Sequence, residues 1–340
     1  MHPGISGKRL AIGAVVASLV AAGCAAGATP APTGAFVIPI QLTPSHVSVA
    51  IAADQGFLEG IDLQWTMVGY GESSQLFHAG TNPIGNESAW EAAVYQEQGK
   101  DIRFFSTVEA NDMGSGVIIR TEDKGKYPDL KSLKGQKFGM PGFGTGTWAA
   151  FQVISKGLAG LEATKDLQVV EGNPGDLEGL LQTKAIEAMI TFSAPTAHAL
   201  ANPAYTMLYE VSGEWKKAHG SPLTINGWIA DAKWLDDHLE ITKNFIAGIQ
   251  KGLDHYKQNL QLDDKGGKYE QFAQNEGRLV DAGTAAFTDN LIKAGTFYYP
   301  ASLYTKSWAE GVYKFVQLGE GVLVKTVPPF EKVFYEKTFQ

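Results

Sequence analysis

The chain has 340 residues, 44% hydrophobic and 19% charged, which is typical of a folded protein of about two domains and excludes a disordered or fibrous one. Lys and Arg total 28 against 36 Asp and Glu, and the net charge of −8 argues against nucleic acid as a partner. The only arginines are Arg9, Arg103, Arg120 and Arg278, so few bidentate clamps for phosphate or carboxylate are available.

Residues 1–23 have the pattern of a secretion signal peptide. Lys8 and Arg9 precede an apolar run at 10–22, and small residues follow. The run is too short for a membrane-spanning helix, and no later stretch reaches the roughly 18 to 20 apolar residues that spanning requires. We therefore expect the mature chain to lie outside the cytoplasm, whether in a periplasm or at the outer face of a plasma membrane.

Cys24 is the single cysteine of the sequence and follows Ala21, Ala22 and Gly23. Ala-Ala-Gly-Cys resembles the bacterial lipobox, although leucine is usual where Ala21 stands, and we expect the Cys24 thiol to carry a lipid anchor. The alternative is an incidental thiol near the cleavage site of a soluble secreted protein. One cysteine excludes an internal disulfide. Residues 24–35, rich in Ala, Pro, Gly and Thr, are expected to form a flexible tether.

From Phe36 onwards, short apolar runs alternate with amphipathic stretches, which is typical of α/β units. The first series predicts strand, helix, strand and helix at 36–39, 47–57, 62–68 and 73–78. The second predicts alternating strands and helices at 137–140, 147–157, 167–171, 176–183 and 187–191. Helical spacing then returns at 232–259, 269–279, 285–293 and 303–318.

Two similarly built lobes are expected because the two series share their order of elements. Asp-Leu-Gln at 62–64 also recurs at 166–168. We assign 36–115 and 232–340 to lobe one and 116–231 to lobe two. The chain would then cross between lobes twice, near 111–117 and 225–231, and two crossing strands would form a hinge.

Short motifs over most of the mature chain resemble a known family. They are Thr-Pro-Ser-His at 43–46, Ala-Ile-Ala-Ala-Asp-Gln-Gly-Phe-Leu at 50–58, Gly-Tyr-Gly at 69–71, Ala-Gly at 79–80, Gly-Asn-Glu-Ser at 85–88, Leu-Lys-Ser-Leu-Lys-Gly-Gln-Lys-Phe-Gly at 130–139, Pro-Gly-Phe-Gly-Thr-Gly-Thr-Trp at 141–148 and Ala-Pro at 194–195. They resemble the bacterial binding proteins for sulfonates, taurine and nitrate, and relatives that bind pyrimidine precursors of thiamine. Members of that family commonly have glycine and aspartate just before the strand predicted at 187–191, where this chain has Lys184 and Glu187.

The resemblance implies an α/β fold of the periplasmic-binding-protein type (type II), with two lobes, a two-strand hinge and extra C-terminal helices. It also implies an extracytoplasmic solute-binding component of an ABC importer. The expected partners are a small-molecule ligand, the ABC permease with its ATPase, and the membrane through the lipid anchor. We expect a monomer without a cofactor.

Ligands of open α/β sheets bind beyond the carboxyl ends of strands, where helix N-termini present unpaired N–H groups. The glycine-rich loop at 141–148 fits this description best. It is not a P-loop, because no lysine follows the glycines. The predicted ligand-binding residues are Thr43, Ser45, His46, Tyr70, Ser73, Asn86, Ser88, Gly144, Thr145, Thr147, Trp148, Phe192, Ser193 and Trp228.

Each of these residues also has a purely structural alternative. Gly, Ser and Thr cap helices without any ligand, His46 could lie at the surface or cap a helix, and Trp228 could be a core residue. Glu87 is expected to be a solvated glutamate in the first turn of a helix, where it favours the helix dipole.

The nature of the cargo is predicted from what surrounds these loops. Aromatic residues nearby favour a ligand with an organic body. The loops contain no arginine, so neutral donors and helix dipoles would have to bind an anion. A sulfonate or carboxylate is therefore expected. The alternative cargo is a neutral or cationic pyrimidine-type vitamin precursor. The alternative role for the protein is that of a ligand-sensing partner of a membrane receptor.

Enzymatic and metal sites are not expected. The sequence has no Gly-x-Ser-x-Gly, no His-Glu-x-x-His and no zinc-binding cysteine pair, and its seven histidines are scattered. The relatives that make thiamine pyrimidine use a cysteine-rich iron motif, which a chain with one cysteine cannot have.

Overall fold

The computed structural model describes residues 35–41, 44–68, 72–110, 115–143, 145–224, 226–263, 265–275, 279, 281–293 and 298–340. The expected signal peptide, most of the expected tether and Cys24, the predicted site of lipidation, lie outside these residues. So do three predicted ligand contacts, Thr43, Tyr70 and Gly144.

The described residues form alternating strands and helices. The strands are β1 (Ala35–Gln41), β2 (Asp62–Val68), β3 (Ile84–Glu87), β4 (Ile102–Ser106), β5 (Glu109–Ala110), β6 (Gly116–Arg120), β7 (Lys137–Met140), β8 (Gln168–Glu171), β9 (Ala188–Thr191), β10 (Tyr205–Glu210), β11 (Gly227–Asp231) and β12 (Tyr298–Tyr299). The helices are α1 (Pro44–Asp54), α2 (Glu72–His78), α3 (Ala89–Glu97), α4 (Gly146–Ala159), α5 (Ala163–Asp166), α6 (Pro174–Gln182), α7 (Ser193–Ala201), α8 (Val211–His219), α9 (Ala232–Asp237), α10 (Leu239–Gln258), α11 (Glu270–Asn275), α12 (Ala282–Lys293), α13 (Lys306–Leu318) and α14 (Phe330–Val333).

A five-stranded mixed sheet takes all its strands from residues 116–210. Its order is β10-β6-β9-β7-β8, with β7 parallel to both β8 and β9 and with β6 antiparallel to β9 and β10. Every residue of β6 is buried, because its Gly-Val-Ile-Ile-Arg sequence lies in the interior of the sheet. Because β7 and β9 are parallel neighbours, their carboxyl ends lie side by side.

A three-stranded antiparallel sheet has the order β3-β11-β4. The stretch at 225–231 was predicted to cross between lobes, and it contains β11, which pairs with β3 and β4 rather than with the five-stranded sheet. β1 and β2 form a separate parallel pair joined through α1. The pairing of β11 brings Gly227 opposite Glu87 and Trp228 opposite Asn86.

The C-terminal residues pack back onto β4. Tyr304 and Thr338 donate hydroxyl hydrogen bonds to the carbonyl oxygens of Phe104 and Phe105 at 2.5 and 2.9 Å, and the N–H of Tyr335 donates to Phe104 at 2.8 Å. The largest core cluster includes residues of β4, α3, β7, α4 and α13. The two larger sheets are thus joined by continuous apolar packing.

The α/β fold predicted from the sequence is confirmed. β2 has the predicted bounds, and most other elements differ by a few residues at their ends. The stretch at 232–259 forms two helices, because His238 has non-helical backbone angles between α9 and α10. Among the described helices, none is long and apolar enough to cross a membrane.

Candidate functional site

Five helices near the predicted ligand contacts follow the end of a strand, four of them within four residues. α1 follows β1, α2 follows β2, α3 follows β3, α7 follows β9, and α4 begins six residues after β7 through the glycine-rich loop. Their first N–H groups lie at the carboxyl ends of strands, where they can donate to a bound anion or be capped by side chains. Side-chain caps are observed at two of them, α3 and α4.

His46, Asn86 and Trp228 come together at the ends of α1, β3 and β11. The His46 imidazole is buried and lies 5.6 Å from the Trp228 ring, measured between centroids. The Asn86 side-chain amide donates to the carbonyl oxygen of Gly227 at 3.1 Å. His46 is therefore not the surface histidine that the sequence left open.

Trp228 is a core residue, which was the structural alternative for it. Its side chain is buried, and its indole N–H donates to the carbonyl oxygen of Val108 at 2.6 Å. Its ring also packs edge-on against Phe245. The indole thus packs α10 against the three-stranded sheet and also contacts the His46 ring.

Ser88 makes a complete capping box at the start of α3. Its hydroxyl accepts the N–H of Glu91 at 3.0 Å, and the Glu91 carboxylate accepts the N–H and hydroxyl of Ser88, both at 2.7 Å. Ser88 is fully buried, so this pairing accounts for its hydroxyl. Ser73, in α2, is also buried. Ser45 lies in the first turn of α1.

Thr145 caps α4 at the end of the glycine-rich loop. Its hydroxyl donates to the carbonyl oxygen of Gly142 at 2.9 Å and accepts the N–H of Trp148 at 3.3 Å. Gly142 has a φ of 144°, a conformation that a side chain would strain. These bonds fix the loop, so the helix-capping alternative is observed for Thr145, and a ligand would contact it in addition.

Trp148 is one of the most deeply buried of the predicted contacts. It is 1% exposed and packs against Phe138 and Phe151, which stack on each other, because the first turn of α4 turns this face toward the five-stranded sheet. Thr147 is also buried. In contrast, Phe143 is 59% exposed and meets the Trp148 ring edge-on.

The loop after β9 lies beside the loop after β7, because these two strands are parallel neighbours. Phe192 is the half-buried residue that precedes α7, and Ser193 is the first residue of that helix. Thr191 and Thr196 share a buried hydroxyl hydrogen bond of 2.6 Å. Thr145, Phe143, Phe192 and Ser193 thus belong to one edge of the five-stranded sheet.

The expectation for Glu87 is wrong. It is not a solvated first-turn residue but the last residue of β3, and it is 5% exposed. The Tyr95 hydroxyl donates to Glu87 Oε2, and His78 Nε2 lies 3.7 Å from Oε1. Burial, then the nearby Glu91 carboxylate, raise the pKa of Glu87 to about 7, against the hydrogen bonds from Tyr95 and Ser74.

Sequence patterns missed this acidic cluster for a physical reason. Glu87 lies beside Ser88 and precedes a helix, which is where a solvated, dipole-favouring glutamate is common. The residues that bury it, His78 and Tyr95, come from α2 and α3 and meet it only in the folded chain. The one local signal was the buried strand directly before it.

Solved structures share this fold over nearly the whole chain. The periplasmic aliphatic sulphonate-binding protein SsuA from Escherichia coli is 13% identical, has a TM-score of 0.65 and covers 90% of this chain and 94% of its own. The alkanesulfonate-binding protein SsuA from Xanthomonas axonopodis pv. citri, bound to MOPS, is 13% identical with a TM-score of 0.56, and covers 89% and 98%. The desulfurization enzyme DSZB is 10% identical with a TM-score of 0.53, and covers 89% and 97%.

These similarities define an α/β protein built like the periplasmic binding proteins. Residues 43–260 match the model of the family described as NMT1/THI5 like. The match covers more than half of the sequence, so the chain belongs to the NMT1/THI5-like family, and the resemblance predicted from the motifs is confirmed. No curated protein is significantly similar to it in sequence.

Proposed function

We propose that this chain is the extracytoplasmic solute-binding component of an ABC importer and that it captures a small organic anion. The observation that carries the proposal is the family membership of residues 43–260, together with helix N-termini that open at the carboxyl ends of β1, β3, β7 and β9. The similar SsuA structures bind sulfonates, which favours a sulfonate or carboxylate cargo.

The proposed capture requires two lobes that close on the cargo. We propose that residues 116–231 form one lobe around the five-stranded sheet and that 36–115 with 232–340 form the other, with β11 contributing to the sheet of the latter. The cargo would lie between the group at His46 and Asn86 and the group at Thr145 and Ser193. Hinge closure would then bring the two groups onto the same molecule.

Neutral donors would hold the anion, since no arginine lies in the candidate loops. The four arginines of the sequence lie elsewhere, and Arg103 and Arg120 are engaged with Asp101, Asp123 and Glu187. Several N–H groups at helix N-termini can replace a formal positive charge when they converge. The exposed ring of Phe143 offers an apolar surface for the organic body.

A neutral or cationic pyrimidine-type precursor is the second candidate cargo. The buried acid Glu87 beside Asn86 favours it, because an ionised carboxylate near the site would repel an anion. An enzymatic role is the third, since the desulfurization enzyme DSZB shares the fold. We favour a binding protein, because the sequence carries no catalytic motif.

Binding of a ligand panel tests the proposal. We expect butanesulfonate or benzoate to change tryptophan fluorescence and to raise the melting temperature of the purified protein, because a ligand that binds only the native state stabilises it. The panel should also contain nitrate and an aminopyrimidine, with product analysis for each. Binding of the aminopyrimidine alone supports the second candidate, and conversion of a ligand supports an enzyme.

Thr145 allows a comparison of capping with ligand binding. Thr145→Ala is expected to lower the free energy of unfolding by about 1 kcal/mol, because it removes the cap of α4, and to weaken anion binding about tenfold or more. Thr145→Ser keeps the hydroxyl and is expected to preserve both. Calorimetry and urea unfolding measure the two effects, and unchanged affinity in Thr145→Ala would remove this loop from the proposed site.

Anchoring by Cys24 remains a prediction. We expect the full chain expressed in bacteria to fractionate with membranes and Cys24→Ala to become soluble outside the cytoplasm, because the lipid is the proposed anchor. Immunoblots of the two fractions measure this distribution. A Cys24→Ala protein that stays with the membrane would contradict lipidation at this residue.

A further inference from the structure

Glu87 has no counter-ion in direct hydrogen-bonding contact among the described residues. The carboxyl group accepts the Tyr95 hydroxyl at Oε2 and is also hydrogen-bonded by Ser74, while Oε1 is buried without a hydrogen-bond partner. Native structures rarely leave a carboxylate oxygen in this condition, because an unpaired buried charge is costly. A protonated carboxyl group at this place costs far less.

The groups around Glu87 come from three segments. His78 lies at the end of α2, with Ser74 one turn earlier, and Glu91 and Tyr95 lie on α3, with Lys100 beyond it. The Tyr95 hydroxyl lies 3.1 Å from His78 Nε2, so it can accept an imidazole N–H while it donates to Glu87. Glu87, Tyr95 and His78 form one hydrogen-bonded chain.

His78 does not supply a fixed positive charge to this chain. Burial lowers the pKa of the His78 imidazole, and the Lys100 ammonium lowers it further, against the Glu91 carboxylate. The imidazole is therefore neutral at neutral pH. Lys100 acts on Glu87 only through its more distant charge, which is the smallest of the influences on this carboxyl group.

The position of Glu87 connects this cluster to the proposed site. Its neighbours in sequence are Asn86, which holds Gly227, and Ser88, which caps α3. Both are predicted ligand contacts. When Glu87 is ionised, a negative charge stands at the N-terminus of α3 and weakens the positive end that an anion would use.

We propose that capture of an anionic cargo is coupled to the uptake of one proton by Glu87, so that Glu87 selects cargo by charge and makes capture depend on pH. The proton comes from solvent and binds the carboxylate of Glu87. This inference rests on the proposed function, since it concerns an anion at the same site. It resolves the conflict between a buried acid and an anionic cargo, because the acid is neutral when the anion is bound.

Calorimetry with butanesulfonate measures the coupling. Titrations at pH 7.5 in phosphate and in Tris, neither of them a sulfonate, give the number of protons taken up. We expect about 0.5 to 0.75 proton per anion for the natural protein, since part of Glu87 is already protonated at this pH, and none for Glu87→Gln. Between pH 6 and 8.5 the Kd of the natural protein should rise about tenfold, whereas that of Glu87→Gln should stay constant. Glu240→Gln, which removes an exposed charge elsewhere, should behave like the natural protein.

A ligand-free measurement accompanies it. The folded-state pKa of Glu87 lies above the value of 4.5 for an ordinary glutamate, so the folded state holds its proton more tightly than the unfolded state. As the pH rises from 4.5 to 7, the natural protein should therefore lose stability relative to Glu87→Gln. Urea midpoints measure the difference, and a constant difference would overturn the inference. Anion binding without proton uptake would overturn it while leaving the proposed function intact. If no anion binds, the anionic cargo and this coupling fail together.

Discussion

Replacement of Arg120 by methionine is expected to lower the free energy of unfolding by about 3–5 kcal/mol. The guanidinium is buried at the end of β6 and makes four hydrogen bonds. Nη1 donates to the carbonyl oxygens of Leu181 and Ile186, both at 2.8 Å, Nη2 donates to Glu187 at 2.7 Å and Nε donates to Asp123 at 2.5 Å.

The size of the effect follows from what methionine leaves behind. The carbonyl oxygen of Ile186 loses the guanidinium donor, and that of Leu181 keeps only backbone N–H donors such as Lys184. The partly buried carboxylate of Asp123 loses its positive partner, and that of Glu187 keeps only Lys126 at 3.8 Å, so these groups keep the cost of desolvation with much less compensation. Arg120 also joins β6 to the segment between α6 and β9. Its loss should therefore loosen β9, whose end carries the predicted ligand contacts Phe192 and Ser193.

Two further variants separate burial from surface charge. Arg120→Lys keeps the positive charge but cannot form the forked set of bonds, and we expect a loss close to that of methionine. Lys184→Gly removes a cation whose partner Glu122 is also exposed, and Lys184 has a φ of 61°. Glycine suits that backbone, so this variant should be unchanged or up to about 1 kcal/mol more stable. Urea unfolding measures the free energy of unfolding of all three variants. A loss under 1 kcal/mol in Arg120→Met would contradict the stabilising role of the Arg120 hydrogen bonds.

Lys184 and Glu187 also show what a departure from a family pattern means in the fold. Both residues are exceptions to the family pattern, since related proteins commonly have glycine and aspartate at these positions. The structure keeps the left-handed turn at Lys184 and uses Glu187 as a partner of Arg120. The physical requirements, a positive φ and a carboxylate, are met by other residues, so the departure leaves the fold intact.

Periodicity predicted the order of the elements because each strand and helix carries its own pattern. β2 alternates in exposure at its start, and α10 has Phe245, Ile249, Leu253 and Tyr256 buried on one face. The family motifs then supplied the fold. Both signals are local in the chain, or spread over many weak local matches.

The candidate site could be predicted only where a single loop forms it. Thr145 caps α4 as the glycine-rich loop indicated, because cap, loop and helix are contiguous. The burial of Trp148 depends on Phe138, and that of Glu87 depends on α2 and α3, so neither could be read from neighbours in sequence. β11 is likewise a central strand only because β3 and β4 flank it.

Gly252→Ala is expected to lower the free energy of unfolding by about 3 kcal/mol, although alanine is the better helix former. Gly252 lies inside α10, where α1 packs most closely. A Cβ atom there would stand 2.2 Å from the carbonyl oxygen of Ser48 and 3.1 Å from the amide nitrogen of Ala52. Both atoms belong to the backbone of α1, so no side chain can turn away and the helices must separate.

Gly179→Ala is the matched control, since Gly179 lies inside α6 and an added Cβ atom would meet nothing within 4 Å. We expect it to raise the free energy of unfolding by about 1 kcal/mol, so that one substitution has opposite signs in two helices. Urea unfolding measures both. A stabilised Gly252→Ala protein would show that α1 and α10 tolerate separation. Because His46 lies in α1 two residues before Ser48, separation should also shift its ring from Trp228 and weaken binding of butanesulfonate, whereas Gly179→Ala should leave that affinity unchanged.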